Sequence, residues 1–420
     1  MRYVIIGGSI AGISAAKAIR EKDDSADIRV ISGEKTGPYY RPIIPSLISG
    51  QKSERDILYP EDPLAGKNII FVLGTAIGVD AKKKEVLLAS GKRIPFDALL
   101  LATGGVPLKP AIPELDGTGV YPLRNMAQAI QISNAADTSR SAVVIGGGLV
   151  GIKAALALQE RRRSTGKGPR EVTVIETLPE ILSGRLDQRT AKIIRAAVEQ
   201  EGISVLTNTS VSGIVRARTA VAGVKLNSGR TLKADLVVVA AGVRPNISYL
   251  KHSGIKTNRG VLVNESLRTN IAGIFAAGDV VEGRELLSNK NTVSGLWGNA
   301  VEMGRAAGMN MAGENVNYPG FLAVLNASEI AGIPFVSAGL INADSKKYRT
   351  VSHENGKDYW KLVFEGDFLV GALFVGDLKN AGLYTNLIKN QIPIARFRGK
   401  IERRAASYPD LLAGLQGVAG

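Results

Sequence analysis

The 420-residue chain contains no cysteine and only two histidines, His252 and His353. Without thiols this chain by itself can form no disulfide, thiolate nucleophile, Cys-ligated zinc or iron–sulfur cluster. The histidines lie far apart in sequence and in unlike contexts, which argues against a His-based metal site or a Ser–His–Asp triad. Chemistry is therefore expected to reside in a bound cofactor. Long apolar runs are missing too: none approaches the roughly 20 residues that span a bilayer, so no membrane association is expected. Charged residues make up only 22% of the chain, a globular α/β profile rather than a disordered one. Acid is in short supply, with 38 Asp+Glu against 53 Lys+Arg, a formal charge of +15. Such an excess suits solubility, anionic cofactors or an acidic partner. No nucleic-acid-binding motif accompanies it, so no nucleic acid is expected.

Glycine, by contrast, is abundant at 48 residues, and two groups of it are informative. The opening "MRYVIIGGSIAGISAA" has the Arg and apolar stretch of a signal peptide. Its glycines instead fall at nucleotide-binding spacing with no small-residue cleavage site after them, so a cytoplasmic location is expected. Residues 2–6 predict a buried strand, followed by Gly7-x-Ser9-x-x-Gly12 and a small-residue helix. Gly7 permits the tight turn, Gly12 lets helix and strand approach, and a small residue at 9 leaves room for a pyrophosphate at the helix N-terminus. A second strand at 28–32 precedes Glu34, placed to hydrogen-bond an adenosine ribose. A merely glycine-rich βα turn competes with this reading. The second copy is complete: strand, Gly146-x-Gly148-x-x-Gly151, helix, then a strand ending at Glu176. A carboxylate there accepts from the ribose 2′-hydroxyl and repels a 2′-phosphate, favouring NAD over NADP. Arg161, Arg162 and Arg163 read as a solvated basic turn at the helix end.

Two dinucleotide folds imply two dinucleotides. "LLLATGGVPLKPAIP" (99–113), "VVVAAGVRPN" (237–246) and "IFAAGDVVE" (274–282) follow in an order that resembles the flavoprotein pyridine nucleotide oxidoreductases. The resemblance extends over about three-quarters of the chain. It is nearest to rubredoxin and ferredoxin reductases, the flavin domain of the nitrite reductase large subunit, and the NADH-flavin subunit of phenylglyoxylate dehydrogenase. It implies FAD on the first fold and NADH on the second. Ala102, Thr103 and Gly104 would lie at the crossing between the two domains, with Gly242 at the return crossing. Asp279 would accept from the flavin ribityl chain, and Gly278 would let the backbone come close. Ile10, Ala11, Lys35 and Ala76 would also line FAD; Leu149 and Val150 would line NAD. A helix starting near Asn299 or Ala300 would aim its N-terminus at the pyrimidine side of the flavin. Trp297 is either a neighbour of the ring edge or core.

"GPYYRPIIPSLISG" (37–50) matches neither helix period nor strand alternation and reads as a shaped loop. Disulfide reductases resembling this chain carry a Cys-x-x-Pro here. This chain has Pro42-Ile43-Ile44-Pro45, so the thiol relay is gone and Arg41 and Pro42 would form a wall of the flavin pocket. Two positions depart from the ferredoxin-reductase pattern. The usual lysine near Ser46 is missing, and the glutamate expected at 153 is Lys153. That lysine could stand near flavin N5, pair with an acid such as Glu302, or simply face solvent.

The resulting architecture is α/β: an FAD domain at 1–112 and 243–315, an NAD domain at 113–242 inserted within it, and a C-terminal α+β domain at 316–420. The last would hold a hairpin turning at Glu365-Gly366-Asp367 and a helix running toward Pro393. It would serve as a homodimer face or as a cover over the flavin. The basic tail 395–404 reads as a solvated helix end or a dock for an acidic carrier. The implied activity is hydride transfer from NADH to flavin N5, then electron transfer to an acidic carrier such as ferredoxin or rubredoxin, or to an iron–sulfur subunit. The direction could be reversed in a 2-oxoacid dehydrogenase complex. A peroxide-forming NADH oxidase and a redox-sensitive binding flavoprotein of the apoptosis-inducing-factor type are the alternatives.

Overall fold

The computed structural model describes residues 1–410 apart from 61–63, 65, 344–345 and 357. Its first sheet sets five parallel strands side by side in the order Ile274–Ala276, Ala98–Leu101, Arg2–Ile6, Asp27–Ser32, Ile69–Leu73. The central strands are almost wholly Val, Ile and Leu, as burial on both faces requires. Helix Ile10–Lys22 covers one face through a run of alanines. Helix Trp297–Met311 lies along it, closer than ordinary side chains would permit. A Cβ on Gly304 would stand 2.2 Å from the Ala11 carbonyl oxygen, and one on Gly308 2.5 Å from that of Ala15. The two helices run parallel, so their N-termini point to the same end of the sheet.

A second parallel sheet repeats the plan, in the order Ile203–Leu206, Glu171–Ile175, Ser141–Ile145, Leu236–Val239, Val120–Pro122. Each unit also carries a three-stranded antiparallel meander: Ala76–Asp80, Glu85–Leu88 and Arg93–Pro95 between strands Ile69–Leu73 and Ala98–Leu101 in the first, and Val211–Ala217, Ala220–Leu226 and Thr231–Lys233 between strands Ile203–Leu206 and Leu236–Val239 in the second. The chain leaves the first unit and re-enters it through one antiparallel ribbon, Gly105–Pro107 against Val243–Pro245.

The C-terminal sheet is antiparallel, with order Leu325–Ile330, Ile333–Gly339, Phe368–Val375, Asp358–Glu365, Arg349–Asn355. One of its hairpins turns at Gly366, with Glu365 opposite Phe368. Helix Ala381–Lys389 covers one face and stops short of Pro393, because Gln391 adopts φ +48° and leaves the helical region. The other face joins the second unit: Phe335, Tyr359, Leu373 and Val375 share one core with Ile152, Val174 and Ile194.

The segment 37–50 departs from its reading as an irregular loop. It holds a 3-10 turn, Arg41–Ile43, and a short helix, Pro45–Ser49. Pro42 and Pro45 occupy first-turn positions, where the missing N–H would have had no partner anyway. Ile44, Leu47 and Ile48 are buried in the core of the second unit, although the segment belongs to the first by sequence.

Candidate functional site

Both glycine loops sit at the carboxyl ends of their sheets with the same geometry. The Gly7 amide donates to the Ile31 carbonyl and the Gly146 amide to that of Ile175, each at 2.8 Å. Gly7 and Gly146 hold φ of +129° and +114°, where a side chain would be strained. A Cβ on Gly12 or Gly151 would stand 1.9 Å from the Gly7 or Gly146 carbonyl oxygen. Each loop is also pressed against the residue that follows a neighbouring strand, Ala102 after Ala98–Leu101 in the first unit and Ala240 after Leu236–Val239 in the second. Neither following helix is capped by a side chain: Ser9 makes no capping bond and Gly148 has no side chain to make one. A Cβ on Gly148 would meet nothing within 4 Å. Uncapped N–H groups at Ile10 and Ala11, and at Leu149 and Val150, next to open space, fit the pyrophosphate of a dinucleotide.

The two acids sit differently. Glu176 directly follows its strand. One of its oxygens accepts from the Gly147 amide at 2.8 Å and the other from the Leu178 amide at 2.9 Å. That pins a carboxylate against the glycine loop, with lone pairs left for ribose hydroxyls. In the first unit the register-equivalent residue is Ser32, not Glu34. The Ser32 hydroxyl accepts from the Glu34 amide at 3.2 Å, and the acid lies two residues further on. The Glu34 carboxylate accepts from the Tyr39 hydroxyl at 2.5 Å and from the Arg41 guanidinium at 2.6 Å. Lys35 beside it is exposed, and Ala76 opens the nearby meander.

From Glu34 a chain of polar contacts crosses the site. Arg41 also donates to the Arg124 carbonyl at 2.8 Å, and the Met126 amide donates to the Tyr39 hydroxyl at 3.2 Å. Arg124 in turn reaches Asp279 at 2.9 Å. Sequence reading missed Arg124, which precedes the Asn125 helix cap without any signature of its own. Gly278, at φ +81°, brings Asp279 beside the first glycine loop; a Cβ there would stand 3.0 Å from Ala11 Cβ and 3.6 Å from Ala300 Cβ. Thr103 donates to the Asn246 carbonyl across the crossing ribbon at 3.0 Å, and Gly104 and Gly242 turn with positive φ at its two ends. Pro42 lies in the 3-10 turn beside Tyr40, which is 38% exposed. The Tyr40 ring lies 4.3 Å from Tyr59 and 6.5 Å from Trp297 between centroids. Trp297 itself begins its helix, two to three residues earlier than expected. That N-terminus has no side-chain cap, and a Cβ on Gly298 would meet open space.

Several expectations change. Glu302 pairs with Lys389, because its helix faces Ala381–Lys389, and so is not the partner of Lys153. Lys153 is half-buried: burial lowers its pKa, and the charge of Glu329 partly restores it. Ser46 donates to the Ile43 carbonyl, and among the described residues no bond joins it to Lys153. The basic run Arg161–Arg163, which lies within the helix Leu149–Thr165, is not simply solvated. Arg161 is only 11% exposed in its side chain, pairs with Asp137 at 2.6 Å and donates to the Ile48 carbonyl at 3.2 Å. Arg162 donates to the Gly168 carbonyl and Arg163 pairs with Glu201. In the basic tail, Arg398, Lys400 and Arg404 pair with Asp367, Asp410 and Asp377 of their own domain. Among the described residues no cluster could hold a metal ion, and no helix is long and apolar enough to cross a membrane.

Residues 1–304 match the family model described as pyridine nucleotide-disulphide oxidoreductase. Residues 325–392 match the rubredoxin NAD+ reductase C-terminal domain. The chain is 30% identical to the epsilon subunit of NADH-dependent phenylglyoxylate dehydrogenase from Aromatoleum evansii, over 95% of this chain and 94% of that one. It is likewise 30% identical to the NADH-rubredoxin oxidoreductase of Clostridium acetobutylicum, over 90% of this chain and 91% of that one. Among solved structures, an NAD-dependent persulfide reductase from A. fulgidus superimposes with a TM-score of 0.86 at 28% identity, covering 94% of this chain and 78% of that one.

Proposed function

The chain belongs to the pyridine nucleotide-disulphide oxidoreductase family, and we propose that it works in the cytoplasm as an FAD-dependent NADH:acceptor oxidoreductase whose acceptor is a redox protein rather than a disulfide. The observation that carries this reading is the pair of matching glycine loops, set on two parallel sheets and joined by one crossing ribbon. Bound together, NADH and FAD supply a hydride donor and a flavin that can release electrons singly.

The chain's residues would bind and orient. The loop Gly7 to Gly12 and the amides of Ile10 and Ala11 hold the FAD pyrophosphate. Glu34, steadied by Tyr39 and Arg41, takes the adenosine ribose, and Asp279, steadied by Arg124, takes the ribityl hydroxyls. The uncapped N-terminus of helix Trp297–Met311 would offer its positive end to the negative charge of a reduced flavin. On the second fold, Gly146, Gly148, Gly151 and the amides of Leu149 and Val150 hold the NADH pyrophosphate. Glu176 binds its ribose and excludes a 2′-phosphate. No side-chain acid or base is needed for hydride passage between two stacked rings, which suits a chain so poor in His and Cys.

Pro42 stands where a redox thiol would, and the chain has no cysteine anywhere. A bound flavin would then supply the one-electron chemistry directly to the acceptor, and the Tyr40–Tyr59–Trp297 cluster would flank it. A rubredoxin- or ferredoxin-type protein, or an iron–sulfur subunit, is the partner that the C-terminal domain match and the +15 charge favour. The resemblance to a phenylglyoxylate dehydrogenase subunit supports the reverse direction as well, with NAD reduced inside a 2-oxoacid dehydrogenase complex.

An anaerobic titration followed at the flavin's visible absorbance tests this. Bleaching by NADH and not by NADPH, with recolouring by rubredoxin or ferredoxin, is the expected result. Recolouring by oxygen alone, at a rate that accounts for turnover, would make the chain an oxidase. A protein that takes up no FAD sinks the proposal.

A further inference from the structure

A half-buried arginine at the junction of the second unit and the C-terminal sheet has no acid to answer it. Among the described residues the Arg185 side chain makes one hydrogen bond, a long one of 3.4 Å to the amide oxygen of Asn326. Among the described residues it enters no ion pair. Its sequence neighbour Asp187 is engaged elsewhere, by the Thr190 amide, the Tyr359 hydroxyl and Lys361. Burial pulls the Arg185 guanidinium below its ordinary pKa, with no neighbouring carboxylate to offset the loss. A guanidinium has five N–H donors in a planar fork. Withdrawn from water and left without a counter-ion it costs stability, unless an anion arrives.

The place of Arg185 says which anion. The Leu182 amide donates to the Gly147 carbonyl at 2.9 Å, and the Arg185 amide donates to the Leu182 carbonyl at 3.0 Å. The Ile181 side chain comes within 3.0 Å of where a Gly147 Cβ would be. The turn that carries Arg185 therefore rests directly on the second glycine loop, next to the uncapped helix that begins at Leu149. A second cation, Lys153, stands one turn into that helix and also enters no ion pair among the described residues. The uncapped amides and the open face at Gly148 thus belong to the loop against which the turn of the unanswered guanidinium packs.

We propose that Arg185 is a binding residue for the diphosphate of the nicotinamide dinucleotide, giving up its long contact to Asn326 to form charge-assisted hydrogen bonds with the phosphate oxygens. This rests on the reading of the second fold as the NADH site. It adds a cationic contact that the glycine fingerprint does not contain, and it ties occupancy of that fold to the strand Leu325–Ile330 of the C-terminal sheet.

The test is calorimetric binding of ADP-ribose, which keeps the diphosphate and lacks the nicotinamide, to the FAD-loaded chain at two salt concentrations. Arg185→Gln is expected to weaken binding about tenfold, the size of a lost charge-assisted hydrogen bond, and to flatten its salt dependence. Arg185→Lys, which keeps the charge without the fork, should fall between. Asn326→Ala, which removes beforehand the bond that binding has to break and leaves the charge in place, should bind at least as tightly as the unmodified chain. Equal affinity in Arg185→Gln and the unmodified chain overturns the proposal. So does an equal weakening by Asn326→Ala, which would make Arg185 a staple between domains. Should Arg185→Gln not fold, unchanged affinity in Arg185→Lys overturns it and a several-fold loss sustains it. If the unmodified chain fails to bind ADP-ribose at all, the dinucleotide reading of the second fold falls first and the Arg185 proposal with it.

Discussion

The two glycine loops share a backbone and differ in what surrounds it. In both, an amide from the first glycine closes onto the second strand, and the third glycine lies too near a carbonyl for any side chain. In the second unit the acid sits on the strand end and is held by the loop it serves. In the first, Ser32 takes that place, and Glu34 is held instead by Tyr39 and Arg41 from the proline segment. One acid is positioned locally; the other depends on a contact that leads through Arg124 toward the crossing ribbon. A shared backbone therefore sets where a pyrophosphate can lie, while the selection and retention of each nucleotide rest on residues outside it.

The sharpest way to break the likeness is to spoil one loop at a time. Gly12→Ala should yield a chain that takes up no flavin. Gly151→Ala should stay yellow but lose reduction by NADH about 100-fold or more, since a methyl forced against a carbonyl costs a few kcal/mol. Visible spectra and anaerobic NADH titration read both. Next in size is the contrast between the acids. Glu176→Ala should raise the KM for NADH about tenfold and narrow the preference over NADPH, because an acceptor and a repulsive charge go together. Glu34→Ala should leave that preference untouched and lower flavin retention instead, as measured by dialysis against increasing salt.

The helices behind the loops are held differently too, by a glycine-lined contact in one unit and by Arg161 in the other. Arg161→Ala, which strips Asp137 and the Ile48 carbonyl of their donor, should lower stability by about 2 kcal/mol in chemical denaturation, with cofactor selectivity unchanged. The smallest effect is expected at the middle of the first fingerprint. Ser9 makes no capping bond, so Ser9→Gly should change FAD affinity and stability by no more than about 0.5 kcal/mol.

The fingerprints were legible because their glycines answer to sterics, and steric demands fall at fixed spacing in the sequence. The order of the motifs at 99–113, 237–246 and 274–282 was legible for the same reason. Counting from the third glycine to each acid, 22 residues to Glu34 and 25 to Glu176, hid the fact that the two are not equivalent. Helix and loop lengths differ between the units, and only the strand register exposes Ser32 as the partner of Glu176. Arg124 and Arg185 could not be read at all. Their contacts, Asp279 and Asn326, lie 155 and 141 residues away, and an arginine on a loop carries no periodic mark. The proline segment misled for a different reason. Proline signals a break in general but is welcome at the first turn of a helix, and the burial of Ile44 and Ile48 became visible only against the distant elements they meet.

Ile48, Ile152, Ile194 and Leu373 belong to one continuous cluster, although they come from the proline segment, the second unit and the C-terminal sheet. In the language of cooperativity, a core shared in this way predicts that the three pieces melt as a single block. Their slowest amides should open together in native-state hydrogen exchange, at one common free energy.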